Sequence, residues 1–395
     1  MRYTGVTARG IVTPIFQSGD PLVEMICDSV AAASENEGFS LGDGDIVAVT
    51  EAVVGRVQGN YATCQQIAAD LRAKFGGGTL GLVFPILSRN RFAVLLRAIA
   101  MSAERLVVQL SYPSDEVGNA LFNPSMLESV SVNPYSDSFD EAGFRAAFGY
   151  ETKHPFTGME YVEFYKSIGD NIEIVFSNDP RHILTYTNHV LCCDIHTRAR
   201  TKAALKKAAG DGAIVLGLDD ILVSETNGSG CNADYGLLGS NKATENSVKL
   251  LPRDCDKFIK ELQAALKTRT GKHFETMVYG DGCFKDPIGG IWELADPVVA
   301  FAHTEGLAGT PNELKIKYIA DAELADLSGE ALSQAIRERV RTKSRDLVGQ
   351  MDSGGTTPRR ITDLLGSLSD LISGSGDRGT PVVLIQNYFT NYASE

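Results

Sequence analysis

The sequence has no long hydrophobic run. Its longest apolar stretches, Gly81 to Leu87 and Pro381 to Ile385, are far shorter than the ~20 residues that a helix needs to cross a bilayer. The opening segment MRYTGVTARG also lacks the apolar centre of a secretory signal. We therefore expect a cytoplasmic protein that has no membrane partner.

Cysteine is sparse and never forms a C-x-x-C pair. The absence of such pairs excludes the usual zinc-finger spacing, and scattered cysteines of odd number indicate reduced thiols rather than a disulfide framework. Adjacent Cys192 and Cys193 are expected to be buried strand residues rather than metal ligands. The seven cysteines are Cys27, Cys64, Cys192, Cys193, Cys231, Cys255 and Cys283.

The chain has fewer basic than acidic residues, with 37 lysines and arginines against 50 aspartates and glutamates. The 395-residue chain has a formal net charge of -13, which excludes a general nucleic-acid-binding protein because phosphate contacts need a basic surface. Anionic small substrates remain possible. Their binding would require a metal ion or a local cluster of basic side chains.

Two common nucleotide-binding motifs are missing. The sequence has no G-x-x-x-x-G-K-[ST] loop, and the run Gly76 to Gly78 does not have the G-x-G-x-x-G spacing that follows a strand. A P-loop or Rossmann enzyme is therefore not expected. A nucleotide could still bind through other turns.

Alternating apolar runs and helical periodicities predict a mixed α+β fold. Strands are expected at Gly10 to Ile15, Asp45 to Thr50, Arg105 to Leu110 and Glu275 to Tyr279, and helices at segments such as Leu22 to Glu35. From Phe122 to about Pro180 the periodicity weakens and aromatic residues accumulate. This part is interpreted as a subdomain or an elaborated insert.

Asp281 occupies a position where a carboxylate can act in chemistry. It directly follows an apolar strand and is flanked by Gly280 and Gly282, which allow another group to approach the backbone closely. Carboxylate oxygens are the ligands that Mg²⁺ and Mn²⁺ prefer. From the residues alone, a metal ligand and an ordinary turn aspartate both remain open.

Other polar clusters are less specific. His189, Asp194 and His196 have metal-ligand types, but the odd spacing of His189 would place it on the opposite face of a strand, so solvated or hydrogen-bonded histidines are expected. Asp115 and Glu116 form either an acid pair or a turn. The stretch Ser373 to Thr380, SGSGDRGT, is either an anion-binding turn or a plain connection.

Five segments, in order along the chain, resemble the coenzyme F420-0:L-glutamate ligase family of gamma-glutamyl ligases. The closing GSGDRGTPVVLI and the order of the segments carry the resemblance most strongly. The segments are IVTPIFQSGDPL (Ile11 to Leu22), GDIVAVTEAVVGRVQGN (Gly44 to Asn60), GSN with VKLLPRD (up to Asp254), MVYGDG (Met277 to Gly282) and DLLGSLSDLISGSGDRGTPVVLI (Asp363 to Ile385).

The resemblance implies a gamma-glutamyl ligase fold of the α+β class, with an enlarged middle region. Residues 1–87 and 222–395 would form the two parts of the ligase-like core, and residues 88–221 would form the enlarged region. The family is associated with GTP, Mg²⁺ or Mn²⁺, and a homodimer. Its members convert a substrate carboxylate into an acyl phosphate, which the amine of L-glutamate then displaces.

Carried over by position, the resemblance implies a nucleotide site and a metal site. Asp281 would be a metal ligand, and Asp234 the nearest substitute for the aspartate of the family's Gly-Ile-Asp-x-Ser-Asn pattern, where this chain has Leu238. The nucleotide-binding residues would be Thr13, Pro14, Ile15, Arg56, Ser240, Asn241, Ser373, Gly374, Ser375, Gly376, Arg378, Gly379 and Thr380.

Several positions depart from the family pattern. A leucine cannot coordinate a cation, and Gly282 stands where the family has threonine, Ala52 where it has lysine, and Ser375 where it often has glutamine. These changes indicate an altered substrate, an altered nucleotide mode or lost activity.

Three functions therefore remain open. The leading hypothesis is a ligase that uses GTP or ATP and a divalent metal to join L-glutamate to a cofactor-like carboxylate acceptor, either an F420-0-like deazaflavin or a folate. The alternatives are a binding protein that has lost catalysis, and a metal-dependent phosphohydrolase built on Asp281, Asp234, Asp219 and Asp220.

The loop Ser224 to Glu245, SETNGSGCNADYGLLGSNKATE, is either a flexible linker or a built site. Because it lies between a predicted strand and a predicted helix inside the core, we expect a structured loop. Such a loop would present Ser240 and Asn241 to the nucleotide.

Overall fold

The computed structural model describes residues 3–280, 298–353, 359–373 and 377–394, and for 284–285 and 292–293 the backbone only. The strands are β1 Thr7–Ile11, β2 Asp45–Thr50, β3 Tyr61–Thr63, β4 Thr79–Val83, β5 Arg105–Leu110, β6 Phe139–Asp140, β7 Ile172–Phe176, β8 His189–Cys192, β9 Ile214–Gly217, β10 Ser240–Thr244, β11 Ser247–Leu250, β12 Phe274–Gly280, β13 Phe284–Lys285, β14 Trp292–Glu293, β15 Val299–His303 and β16 Val382–Gln386.

The helices, numbered in the same way, alternate with the strands over most of the chain. They are α1 Leu22–Glu37, α2 Glu51–Val57, α3 Cys64–Phe75, α4 Arg91–Ser102, α5 Glu141–Phe148, α6 Tyr161–Lys166, α7 Arg198–Ala209, α8 Cys255–Thr270, α9 Ile316–Tyr318, α10 Gly329–Arg341 and α11 Ile361–Ser373. The predicted mixed α+β class is confirmed.

The chain forms two compact units. The first contains Met1–Val57, Asp254–Asp281 and Pro297–Glu395, and the second contains Gln58–Arg253 and Gly282–Asp296. The chain passes from the first unit to the second between residues 57 and 58, and back between residues 253 and 254. The boundaries predicted from the sequence lie between residues 87 and 88 and between residues 221 and 222. The extent of the ligase-like core within the chain stays a prediction.

The first unit is built around a five-stranded sheet in the order β1-β16-β2-β12-β15. Strands β2 and β12 are parallel, and β16 is antiparallel to both β1 and β2. Successive side chains of each strand point to opposite faces of the sheet, and both faces are buried. Val47 and Val49 face the cluster that contains α1 and α8, while Ile46 and Ala48 face the cluster that contains Leu365 of α11.

The second unit contains a six-stranded sheet in the order β6-β7-β5-β4-β8-β9. All neighbouring strands from β7 to β9 are parallel, and only β6 pairs antiparallel. Helices α3 to α6 contribute to the core on one face, and Leu205 of α7 belongs to the cluster on the other. A small sheet, β10-β11-β3, also belongs to this unit.

The aromatic-rich segment of weak periodicity belongs to the core of the second unit. Phe144 stacks on Phe176 with ring centroids 3.7 Å apart, and Phe122 lies 4.7 Å from Phe148. Each of these rings is buried. Aromatic packing of this kind stabilises a core because each ring buries a large area. The segment is therefore part of the core although its sequence shows only weak periodicity.

Local chemistry explains where several elements begin and end. Thr63 and Gln66 form a capping box that starts α3, and Gly76 ends the helix at φ 82°. The strand predicted at Gly10 to Ile15 was wrong in extent, because β1 runs from Thr7 to Ile11. Pro14 lacks an N–H group and cannot donate to a sheet ladder.

No helix within the described part of the chain is long and apolar enough to cross a membrane. The described cysteines are all free thiols. Cys192 ends β8 and is buried as predicted, whereas Cys193 is buried but lies directly after the strand. Burial raises the pKa of both thiols above the ordinary range.

Candidate functional site

One edge of the five-stranded sheet brings together the segments that carry most of the predicted site residues. Ile11 of β1 lies opposite Val382 of β16, and Val382 lies opposite Val49 of β2. The parallel pairing of β2 with β12 places Thr50 beside Tyr279. Strands β1, β2 and β12 end here and β16 begins here. We call this edge, defined by these five residues, the carboxyl edge.

Backbone hydrogen bonds join the segments that leave the carboxyl edge. The Thr13 N–H donates to the Gly379 carbonyl over 3.2 Å, and the Thr50 N–H donates to the Pro381 carbonyl over 3.0 Å. The turn Thr13 to Ile15, which is predicted to contact the nucleotide, therefore lies beside the end of the predicted nucleotide-binding turn Ser373 to Thr380. We call this second turn the phosphate-side turn. The sequence separates these segments by more than 300 residues, and only the sheet brings them together.

Thr380 is packed tightly at this edge. A Cβ atom added to Gly10 would lie 2.9 Å from the Thr380 Cβ, so only glycine fits opposite it. The Thr380 Oγ1 atom is buried and has no hydrogen-bond partner within the described residues. A buried hydroxyl without a partner costs free energy, and it is therefore a candidate to bind an oxygen of a ligand.

Arg56 lies in the last turn of α2, and its side chain is exposed. Its Nε donates to the Phe16 carbonyl over 2.7 Å, which anchors the guanidinium beside the segment that follows Thr13 to Ile15. Within the described residues its two terminal nitrogens make no other hydrogen bond or ion pair. They are therefore free to bind an anion.

The phosphate-side turn is described only in part. The Tyr279 hydroxyl donates to Ser373 Oγ over 2.5 Å, which ties the end of α11 to the end of β12, and the Arg378 Nη1 donates to the Ile372 carbonyl over 3.2 Å. Gly374, Ser375 and Gly376 lie outside the described residues, as does Asp281. Their roles stay predictions.

Glu51 is a candidate that the sequence reasoning missed. It directly follows β2, begins α2, and is only 4% exposed. A Cβ atom added to Gly280 would lie 2.4 Å from Glu51 Cγ, so this carboxylate side chain is packed against the last residue of β12. Its position directly after an apolar strand, like that of Asp281, was the signal that could have identified it.

The negative charge of Glu51 contributes to the raised pKa of the nearby Cys255 thiol. Burial raises the pKa of the Cys255 thiol to about 12, and the charges of Asp256 and Glu51 act in the same direction. The carboxyl edge therefore contains a buried acid suited to a hard cation and, at Arg56, a cation suited to a phosphate.

A cavity of about 800 Å³ lies between β1 and α1 and reaches the start of the predicted nucleotide turn. Its lining includes Arg9, Gly10 and Pro14 together with Ser29 of α1. Pro14 and Ile15 themselves are exposed. The volume falls in the range of small-molecule sites.

The loop before β10 is structured, not a flexible linker. The Asn60 side chain accepts from the Cys231 N–H over 2.9 Å and donates to the Leu251 carbonyl over 2.7 Å. Asn232 accepts from the N–H groups of Asp234 and Tyr235. Both asparagines are buried, so these bonds form away from water and hold the loop in one conformation.

The predicted residues of this loop differ in their surroundings. Ser240 is 1% exposed and its Oγ has no hydrogen-bond partner among the described residues, while the neighbouring Asn241 is half-buried. Asp234 is exposed. Leu238 packs against the hydrophobic core of the second unit, as expected for a residue that does not bind a cation.

Residues of the other possible metal site, His189 and Asp194, make hydrogen bonds within the protein. His189 Nδ1 lies 3.0 Å from the Phe75 carbonyl, and Asp194 accepts hydrogen bonds from Thr197 and Thr201. Over the described ranges, no group of three or more histidine, cysteine, aspartate or glutamate residues is placed to hold a metal ion. A metal at the carboxyl edge would need Asp281 in addition to Glu51.

The chain matches a known protein family. A family model described as F420-0:Gamma-glutamyl ligase matches residues 10–387, nearly the whole chain. None of the curated proteins matches the chain. The family match includes residues from all three segments of the first unit that meet at the carboxyl edge and the entire six-stranded sheet of the second unit.

Proposed function

Because the chain belongs to the F420-0:gamma-glutamyl ligase family, we propose that it is a ligase that forms a gamma-glutamyl amide bond. The bond would join L-glutamate to a carboxylate of a cofactor-like acceptor, and GTP or ATP would supply the driving force. The observations that support this proposal are the backbone hydrogen bond from Thr13 to Gly379, the neighbour of Thr380, and the bond that holds the Arg56 guanidinium at Phe16. These residues come from three of the segments that carried the resemblance.

The residues at this edge suit the binding of a nucleotide triphosphate. Arg56 has unused guanidinium nitrogens, and guanidinium geometry matches phosphate oxygens. The Thr380 hydroxyl has no partner within the described part of the chain, so it can donate to a phosphate oxygen without losing an existing bond. We propose that Thr13 to Ile15 and the turn Ser373 to Thr380 border the phosphates. For Ser240 and Asn241, which belong to the second unit, contact with a nucleotide stays a prediction.

The proposed reaction has two steps. A carboxylate oxygen of the acceptor attacks the terminal phosphorus, and the nucleoside diphosphate leaves. The amine of glutamate then attacks the acyl carbon, inorganic phosphate leaves, and the nitrogen loses a proton. The role of the chain is to orient both substrates and to exclude water, which would otherwise hydrolyse the acyl phosphate.

Glu51 and Asp281 are the residues that we propose to hold Mg²⁺ or Mn²⁺. The fit rests on the buried carboxylate of Glu51 and its packing against Gly280, the residue that precedes Asp281 in the chain. When bound, the ion would offset the negative charge of the phosphates. Asp234 is a weaker candidate because its side chain is exposed.

The family favours an F420-0-like deazaflavin as the acceptor, and folate is the second acceptor to compare. We further propose that the enzyme acts in the cytoplasm as a homodimer, following the family. The phosphohydrolase alternative loses support, because Asp219 pairs with Arg198 over 2.9 Å and Asp220 forms an ion pair with Lys202. Each aspartate therefore already has a cationic side chain as its partner.

A direct assay tests the proposed reaction. The protein is incubated with Mg²⁺ or Mn²⁺, GTP or ATP, L-glutamate and either F420-0 or folate, and the mass of the acceptor is then measured by mass spectrometry. We expect one acceptor to gain a single glutamyl unit, only when metal, nucleotide and glutamate are all present.

Two other results of this assay would contradict the proposal. Nucleotide hydrolysis that needs no glutamate would favour a phosphohydrolase. Binding of nucleotide without any acceptor gaining mass would favour a binding protein that has lost catalysis, as the departures at Leu238 and Gly282 allow.

A further inference from the structure

The second unit contains a doubly wound parallel sheet although its sequence lacks the glycine motif. The chain builds outward from β4 to β5 and β7, then returns to the other side of β4 to add β8 and β9. The strand order therefore reverses between β4 and β8. Open parallel sheets bind ligands outside the carboxyl ends of their strands, at such a switch point.

A cavity of about 690 Å³ begins at this end of the sheet and extends along α7. Its walls come from three segments that follow strands: Phe84 after β4, Asn178 to Arg181 after β7, and helix α7 after β8. The volume is that of a small-molecule site. None of its lining residues belongs to the predicted nucleotide or metal set.

One face of α7 forms a wall of the cavity. Thr197, Arg200, Ala204, Lys207 and Ala208 line it at helical spacing. The small alanines leave room between the two long cations. Residues seven positions apart rise by about 10 Å along a helix, so Arg200 and Lys207 can bind two ends of an extended anion.

Arg200 and Lys207 are unused cations. Within the described residues neither side chain makes a hydrogen bond or an ion pair, although the chain has a net charge of -13. Their neighbours Arg198 and Lys202 on the same helix pair with Asp219 and Asp220. Both side chains are exposed on one cavity wall, so within the described residues only solvent or a ligand is left as their partner.

The acidic groups near the cavity are already bound. Asp179 forms two short bonds with Arg181, 2.8 Å to Nε and 2.7 Å to Nη2, and this contact lowers the pKa of Asp179. The Glu116 carboxylate accepts the backbone N–H groups of Ile195, His196 and Thr197. The start of α7 is thus occupied, and Arg200 and Lys207 supply the free positive charge.

Two aromatic residues complete the lining. Phe84 has φ 56°, a left-handed conformation that is uncommon for a bulky residue and marks a constrained position directly after β4. The side chain of Tyr135 is 93% exposed at the cavity. Asn178 donates to the Pro134 carbonyl over 3.1 Å, which holds the tyrosine's loop in place.

We propose that this cavity binds a phosphorylated small molecule with a planar ring, such as a nucleoside diphosphate. The phosphates contact Arg200 and Lys207, and the ring packs against Phe84 and Tyr135. The cations supply charge-assisted hydrogen bonds, and the aromatic rings supply a flat apolar surface. This site is independent of the proposed ligase site and needs no metal ion.

The test uses calorimetric titration of the full chain in EDTA, with ADP, pyrophosphate and adenosine as probes. Chelation of divalent metal suppresses the metal-dependent nucleotide binding proposed for the first unit. We expect ADP to bind more tightly than pyrophosphate, and adenosine to bind weakest. The double variant Arg200→Gln/Lys207→Gln should lower the ADP affinity by roughly tenfold or more for each charge removed.

Three controls keep the test specific. Lys206→Gln removes an exposed charge from the same helix outside the cavity and should leave ADP binding unchanged. Tyr135→Ala should weaken ADP binding but not pyrophosphate binding. Lys260→Gln removes an exposed charge from α8 of the first unit and should have no effect in EDTA. Absence of ADP binding in EDTA, or equal binding by the double variant and the wild type, would overturn the proposal.

Discussion

Replacing Glu51 by glutamine is expected to lower the rate of the proposed ligase reaction about 100-fold or more, with the fold retained. Glutamine has the same shape but no charge, and the side chain is buried against Gly280 at the carboxyl edge. The rate is measured as glutamyl product formed per minute at saturating Mg²⁺ or Mn²⁺. Thermal unfolding of the variant checks the fold.

A matched control separates this effect from a general loss of negative charge. Glu35→Gln removes an exposed carboxylate from α1 of the same unit and should leave the rate unchanged. Gly280→Ala should mimic the Glu51 variant, because the added methyl group would displace the Glu51 side chain. Full activity of Glu51→Gln would remove Glu51 from the proposed metal site.

Replacing Gly236 by alanine is expected to lower the free energy of unfolding of the second unit by about 2–4 kcal/mol. Gly236 has φ 51°, and a Cβ atom there would lie 2.5 Å from the Ile221 carbonyl oxygen and 2.7 Å from that of Asp219. The Ile221 carbonyl already accepts the Leu237 N–H over 2.8 Å, so it cannot move without breaking that bond.

Gly228 gives the control for this prediction, because it lies in the same loop at φ 76° and an added methyl group there would have no atom within 4 Å. Gly228→Ala should cost about 1 kcal/mol, for the backbone conformation alone. Urea unfolding followed by circular dichroism compares the two variants. Equal destabilisation would mean that the loop around Gly236 is looser than its hydrogen bonds indicate.

The sequence predicted the local elements of this protein better than the way in which they assemble. Helix α1 and strands β2 and β5 follow from local periodicity and nearly match their predicted bounds. The doubly wound sheet was missed, because strand order depends on contacts between distant residues and because the loop after β4, with Phe84, carries no glycine motif.

The residues of the candidate site were predictable in part, but their arrangement was not, because it too depends on the pairing of distant strands. Resemblance to a family pointed to Thr13, Arg56 and Thr380 as separate segments, but only the antiparallel pairing of β16 with β1 brings the first and last together. Glu51 was overlooked because its burial against Gly280 requires β2 and β12 to be neighbours. A sequence does not display that pairing.

The central claim is that the carboxyl edge of the first unit binds a nucleotide through a divalent metal. The most direct measurement is calorimetric titration of GTP in the presence of Mg²⁺, for the wild type and for Asp281→Asn. We expect the substitution to abolish the metal-dependent binding, since asparagine has no charge with which to hold the ion. Unchanged binding of GTP by Asp281→Asn would contradict the claim.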